Sequence, residues 1–180
     1  MSADRTPPAL VSSPYIIGVA GWKNSGKTTL VERLVAHFTR SGWRVVTVKH
    51  THHHLRPHDG ATDGERHSHA GAIASIVIAP DAWEIDGVRQ PSAPPQLTEI
   101  PRIIGDADLI IAEGFKSAPI AKIEARRTAS KTRDPLAPSD PHIIAIAADH
   151  TTESGALPLF DLNDVEAIAA FIAAGAAKNG

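Results

Sequence analysis

Residues 15–29, YIIGVAGWKNSGKTT, constrain the fold more than any other stretch of this chain. The unbroken apolar run over 15–20 has the pattern of a strand buried on both faces. Gly21 to Thr28 satisfies the spacing G-x-x-x-x-G-K-[ST], and Leu30, Val31, Leu34, Val35 and Phe38 then recur at helical spacing. A glycine loop between a buried strand and a helix lets successive backbone N–H groups turn inward toward phosphate oxygens. The positive end of the helix dipole lies behind them. In such a loop Lys27 reaches the β and γ phosphates and the Thr28 hydroxyl is available to Mg²⁺. Trp22, Lys23, Asn24, Ser25, Gly26 and Thr29 complete the candidate phosphate cradle.

From Tyr15 onward, short β-branched runs alternate with helical patterns, which is the signature of a parallel sheet flanked by helices. The spacing predicts strands at 15–20, 44–49, 73–78, 108–113, 121–126 and 142–148, with helices at 27–40, 63–71, 97–105 and 163–174. Ser41-Gly42 should end the first helix, the glycine supplying a left-handed cap. DGVRQPSAPPQ (86–96) reads as a proline-rich surface connection, and the basic segment 127–141 as a mobile one. The expected fold class is therefore α/β and P-loop NTPase-like, a mostly parallel sheet in one domain over 14–180. A loose tail over 1–13 precedes it.

A Mg²⁺-nucleotide site in an open α/β sheet also needs a carboxylate at the C-terminal end of a neighbouring strand. DLIIAE offers Asp108 and Glu113, separated along a strand by about 16 Å at roughly 3.3 Å per residue, so only one can be near the phosphates. Glu113 is the C-terminal one and is expected to hold metal or water. Asp108, at the opposite edge, is expected to be a solvated cap.

Seven of the ten histidines fall between His50 and His69. His50, His52 and His54 alternate, so a continuing strand would put them on one face as a metal grip. Against that stand the Arg-Pro that follows and the absence of cysteine. Two other readings are a solvated loop and a loop over the sheet edge. In the latter, Lys49, the histidines and Asp63 would meet the nucleotide or a second anionic ligand. Asp149, after the strand HIIAIAA, either caps a turn or lies beside a nucleobase, where an ionised carboxylate could accept from guanine N1–H and the 2-amino group.

Composition narrows the function classes. The formal charge of −2 lacks the basic surplus that nucleic-acid binding requires. No apolar run approaches about 18 residues, so no membrane span is expected. Zero cysteines exclude disulfides and thiolate metal sites and fit a reducing cytoplasm. The opening residues MSADRTPPALVSSP place proline and serine where a signal peptide would have an apolar core.

GWKNSGKTTL, then KHTHH with an aspartate further on and AGA after it, then DLIIAEGFK, then KIEARR, together resemble the MobB family of molybdopterin-guanine dinucleotide biosynthesis adaptor proteins. The resemblance spans roughly residues 15–172. It implies a GTP-binding, weakly hydrolysing homodimer using Mg²⁺, which assists the guanylyltransferase that joins GMP to molybdopterin. It also implies a phosphate loop over Gly21 to Thr29 and a Walker-B-like acid at Glu113. Further site residues implied are Lys116, Lys122 and Arg127, the KH-x-x-H residues Lys49, His50 and His53, and Asp63. This chain departs from the family pattern in carrying His54 and His58 where relatives tend to have aspartates. It also reads Ala61-Thr62-Asp63-Gly64 in place of Gly-Lys-Asp-Ser. Those histidines make the loop more cationic below about pH 6.5. Two other classes share the loop: a small-molecule kinase with Arg126 to Arg133 as its lid, and a metal-delivery GTPase using the histidines.

Overall fold

The computed structural model describes residues 13–52, 63–80 and 82–179. In chain order the elements are β1 (Tyr15–Ala20), α1 (Lys27–Arg40), β2 (Val45–His50), α2 (Asp63–His69), β3 (Ala74–Ile78), β4 (Trp83–Ile85) and β5 (Val88–Arg89). A 3₁₀ turn (Leu97–Glu99) runs into α3 (Ile100–Ile104), followed by β6 (Leu109–Glu113), β7 (Lys122–Arg126), β8 (Ile143–Ala148), β9 (Leu159–Asp161) and α4 (Val165–Asn179). They form one nine-stranded sheet in the order β5-β4-β3-β2-β6-β1-β7-β8-β9. All neighbours pair in parallel except β3–β4 and β4–β5.

β1 sits between β6 and β7, so its side chains must be apolar on both faces. Ile17 and Val19 join the core beneath α1 and α4, together with Leu30, Leu34, Leu109, Ile111 and Ile168. Val46, Val48, Ile76, Ile100, Ile110 and Ala112 form the core on the opposite face. α1 ends as its sequence requires. The N–H of Trp43 donates to Phe38 O at 3.0 Å and that of Gly42 to Thr39 O at 2.9 Å, while Gly42 takes a φ of 83° and the Phe38 and Trp43 rings touch. This is the Schellman pattern with its apolar contact.

Three sequence expectations need correction. Asp108 is not solvated. Its side chain is 8% exposed and accepts from the Arg44 backbone N–H at 2.7 Å and the Arg44 guanidinium at 2.9 Å. Burial works to raise its pKa, but these hydrogen bonds outweigh burial and hold the carboxyl below the usual range. The connection at 86–96 is in part a hairpin, in which Asp86 and Gly87 take φ values of 50° and 77° between β4 and β5. Asp-Gly suits a two-residue turn with both φ positive. The segment after β7 is tied down through Glu124, whose carboxylate accepts from the backbone N–H of Leu136 at 2.8 Å and of Ala137 at 3.0 Å.

The expected tail lies, over 1–12, outside the described residues, as do His53, His54, His58 and the side chain of Asp63. No helix among the described residues is long and apolar enough to cross a membrane.

Candidate functional site

Parallel strands deliver their C-terminal ends to one edge of the sheet. Here that edge carries the glycine loop after β1, Lys49 on β2, Glu113 on β6, Arg126 and Arg127 at the end of β7, Asp149 after β8 and Asn163 after β9. The loop's own backbone explains its composition. Gly26 precedes α1 at a φ of 88°, and Gly21 takes a φ of 150°, where an added Cβ would come 2.6 Å from Ala125 O. A side chain at either position would strain the curl that aims the N–H groups inward.

Register brings the charged groups together. Val19, Glu113 and Lys49 are level across β1, β6 and β2. Laterally paired residues share a face, so Lys49 and Glu113 both point toward α1, and the Lys49 ammonium lies 3.3 Å from Glu113 Oε1. From the first turn of α1 the Thr28 hydroxyl donates to the same oxygen at 2.8 Å. Glu113 Oε2 lies 3.7 Å from His67 Nε2 of α2, and among the described residues neither that oxygen nor either His67 ring nitrogen has a hydrogen-bond partner. His67 is fully buried, and burial pulls its pKa below the ordinary histidine value.

Lys27 donates to Trp22 O at 2.7 Å, folding back over its own loop. Burial lowers its pKa; Glu113 opposes this, and the positive charges of Lys116 and Lys49 reinforce it. Lys116 lies 3.9 Å from the centre of the Trp22 ring, a cation–π contact that turns its charge toward the loop. Lys27, Lys49 and Lys116 thus bring three ammonium groups to the glycine loop, where a polyphosphate could meet them.

The family model described as "Molybdopterin guanine dinucleotide synthesis protein B" matches residues 16–149. The chain belongs to this family. Among curated relatives, the molybdopterin-guanine dinucleotide biosynthesis adapter protein of Haemophilus influenzae is 31% identical over 159 residues, covering 87% of this chain and 86% of its own length. The Escherichia coli protein of the same name is 31% identical over 159 residues, with 87% and 90% covered. Among solved structures, the MobB protein homolog from Bacillus stearothermophilus superposes with a TM-score of 0.57 at 27% identity, covering 91% of this chain and 98% of its own. Bacillus subtilis MobB gives 0.58 at 25%, with 88% and 96% covered. The fold is accordingly the P-loop NTPase-like α/β fold of the family's members.

Within that frame the expected site residues divide. Gly21 to Thr29, Lys49, Lys116 and Glu113 gather around one point. The KH-x-x-H element is split, because Lys49 and His50 are neighbours on a strand and face opposite sides. His50 packs on Phe115 at 5.4 Å and meets the His52 ring at 4.9 Å, edge to face. Burial first, then His52, lowers its pKa. Among the described residues no three metal-ligating side chains come together.

Lys122 reaches the site only indirectly. It is 1% exposed and its ammonium is shared by Lys116 O at 3.0 Å, Ala118 O at 2.6 Å and Asp140 at 2.8 Å. It therefore pins the turn that carries Lys116. Arg127 Nε lies 3.8 Å from Asp149 Oδ2. Asp149 Oδ1 accepts from the Thr128 N–H at 2.7 Å and hydroxyl at 3.0 Å, and sits 2.9 Å from His150 Nδ1. Burial works to raise the Asp149 pKa, but these contacts outweigh it and hold it low. Sequence reasoning missed Glu124 and Asn163 and did not single out His67 within the histidine tract. Each is placed by contacts between elements rather than by a local pattern.

Proposed function

We propose that the chain binds GTP with Mg²⁺ at this strand edge, hydrolyses it slowly at most, and acts as a cytoplasmic homodimeric adapter. The protein it would support is the guanylyltransferase that joins GMP to molybdopterin or its molybdenum form. The observation that carries the nucleotide reading is the meeting of Thr28 and Glu113 at 2.8 Å beneath a glycine loop flanked by Lys27, Lys49 and Lys116. A hydroxyl and a carboxylate are the hard oxygen donors Mg²⁺ takes, and Glu113 Oε2, without a hydrogen-bond partner among the described residues, leaves ligand capacity there. The residues present therefore fit the ion, and Thr28 and Glu113 would hold it. Bound there, Mg²⁺ would neutralise charge on the β and γ phosphates.

The chain's own residues supply the rest. The loop N–H groups would bind phosphate oxygens, and Lys27 would exchange its Trp22 carbonyl for the β and γ phosphates. Slow turnover is supported by how the arginines are engaged. Among the described residues, Arg66 pairs with Glu32, Arg126 with Glu124, and Arg127 lies near Asp149, so none of these three is presented as the mobile cation that speeds phosphoryl transfer. The same pairing of Arg126 speaks against the 126–133 segment as a kinase lid. The role in making the guanine dinucleotide rests on family membership and on the names its curated relatives carry.

The test is calorimetric titration with GTP and ATP in Mg²⁺, repeated with molybdopterin-loaded guanylyltransferase present. GTP binding that tightens with the enzyme is expected. Failure to bind any triphosphate contradicts the proposal, and ADP formation that depends on an added hydroxyl acceptor replaces it with the kinase.

A further inference from the structure

Two cavities flank the glycine loop on the side of β1 away from Glu113. One, between the loop and residues 130–134, has about 20 Å³ of space, enough for little more than a water. The other has about 110 Å³ and is lined by Thr29, Arg33, Arg127, Asp149, Leu162 and Asn163. Thr29 and Gly26 belong to the phosphate loop, so this second cavity begins where a nucleotide's phosphates would end.

Its polar walls are complementary in kind. On one side the Arg33 guanidinium donates to Asn163 Oδ1 at 2.9 Å. Arginine has no acceptor, so this contact fixes which way the amide faces, with the oxygen toward Arg33 and the two Nδ2–H donors away from it. On the other side three donors already hold Asp149 Oδ1, leaving Oδ2, which lies 3.8 Å from Arg127 Nε, to accept a further donor. A 6-oxopurine presents O6 and N7 as adjacent acceptors and N1–H as the next donor. Adenine replaces O6 with an amino donor, which would confront the Asn163 N–H groups. We infer that Asn163, oriented by Arg33, reads the O6/N7 edge of a bound guanine and sets the preference for guanine over adenine, Asp149 reading N1–H and the 2-amino group through Oδ2. This rests on the GTP reading above.

The experiment is competition binding of GTP, ITP and ATP in Mg²⁺ to the wild type, Asn163→Ala, Asn163→Asp and Arg33→Ala. ITP keeps O6, N7 and N1–H but lacks the 2-amino group, which separates Asn163 from Asp149. Asn163→Ala is expected to weaken GTP and ITP by the same factor, about three- to tenfold for one hydrogen bond, and to leave ATP unchanged. Asn163→Asp should weaken GTP further and strengthen ATP, since a carboxylate accepts from the 6-amino group. Arg33→Ala should give a weaker form of the Asn163→Ala pattern, because a freed amide can flip. A loss shared equally by all three nucleotides, or an unchanged GTP-to-ATP ratio in Asn163→Ala, overturns the inference. A wild type that binds GTP and ATP equally overturns it while leaving the phosphate site standing. One that binds neither removes the GTP reading itself.

Discussion

Two buried glutamates flank β1, one on each neighbouring strand, and they are provided for very differently. Glu124 on β7 is 1% exposed and fully satisfied by the N–H groups of Leu136 and Ala137 and by Arg126 at 2.9 Å. Glu113 on β6 is 4% exposed. It shares Oε1 between Thr28 and Lys49 and has no hydrogen-bond partner at Oε2 among the described residues. A buried carboxylate without full satisfaction costs stability. Such a deficit makes sense where a ligand supplies what the protein withholds. Glu124 organises a loop; Glu113 keeps an oxygen that the proposed Mg²⁺ would use.

The contrast can be broken first by stability. Glu124→Ala strands two backbone donors and a guanidinium, and it should cost about 3–5 kcal/mol by chemical denaturation. Glu113→Gln should cost about 1 kcal/mol or less, because the amide can still accept from Thr28. Equal losses would mean both carboxylates are structural. The second effect is on binding: Lys27→Ala should lower triphosphate affinity about 10- to 150-fold, the equivalent of a charge-assisted hydrogen bond, with an unchanged melting temperature. Unaltered affinity in the folded variant would move the phosphate site away from the glycine loop.

The smallest expected effect sharpens the Glu113 side. Burial lowers the folded-state pKa of His67, so as pH falls the unfolded chain takes up a proton before the folded chain does. Stability contributed by neutral His67 is then complete above about pH 6.5 and lost below it, by at most about 1.4 kcal/mol per pH unit. Melting measured from pH 7.5 to 5.5 should slope downward, and His67→Leu should flatten the slope. Part of it should remain, because burial also lowers the His50 pKa. An identical slope in the variant would show His67 to be protonated alike in both states.

How much of this was legible in the sequence depends on how local the cause is. The strand, glycine loop and helix of 15–40 are written in adjacent residues, as are the Schellman end at Gly42 and the strand-end position of Glu113. Asp108 was misread because its burial depends on Arg44, which precedes a different strand. The Asp86-Gly87 hairpin is a local signal, but its strands of three and two residues are too short to show alternation. Glu124 lies in KIEAR with nothing to mark it, since its partners are set by the path of the chain twelve and thirteen residues later. The KH-x-x-H element looks like a unit in sequence, yet strand alternation sends Lys49 to Glu113 and His50 to Phe115.

The central claim is that Glu113 is reserved for a metal that accompanies the nucleotide. The measurement that meets it most directly is GTP affinity with excess Mg²⁺ and with chelator, on wild type and Glu113→Gln. The wild type should bind GTP more tightly with Mg²⁺ than without. The variant should match the wild type's metal-free affinity and gain nothing from Mg²⁺. A variant that keeps the full Mg²⁺ enhancement would contradict the claim and put the metal carboxylate elsewhere, with Asp63 the next to change.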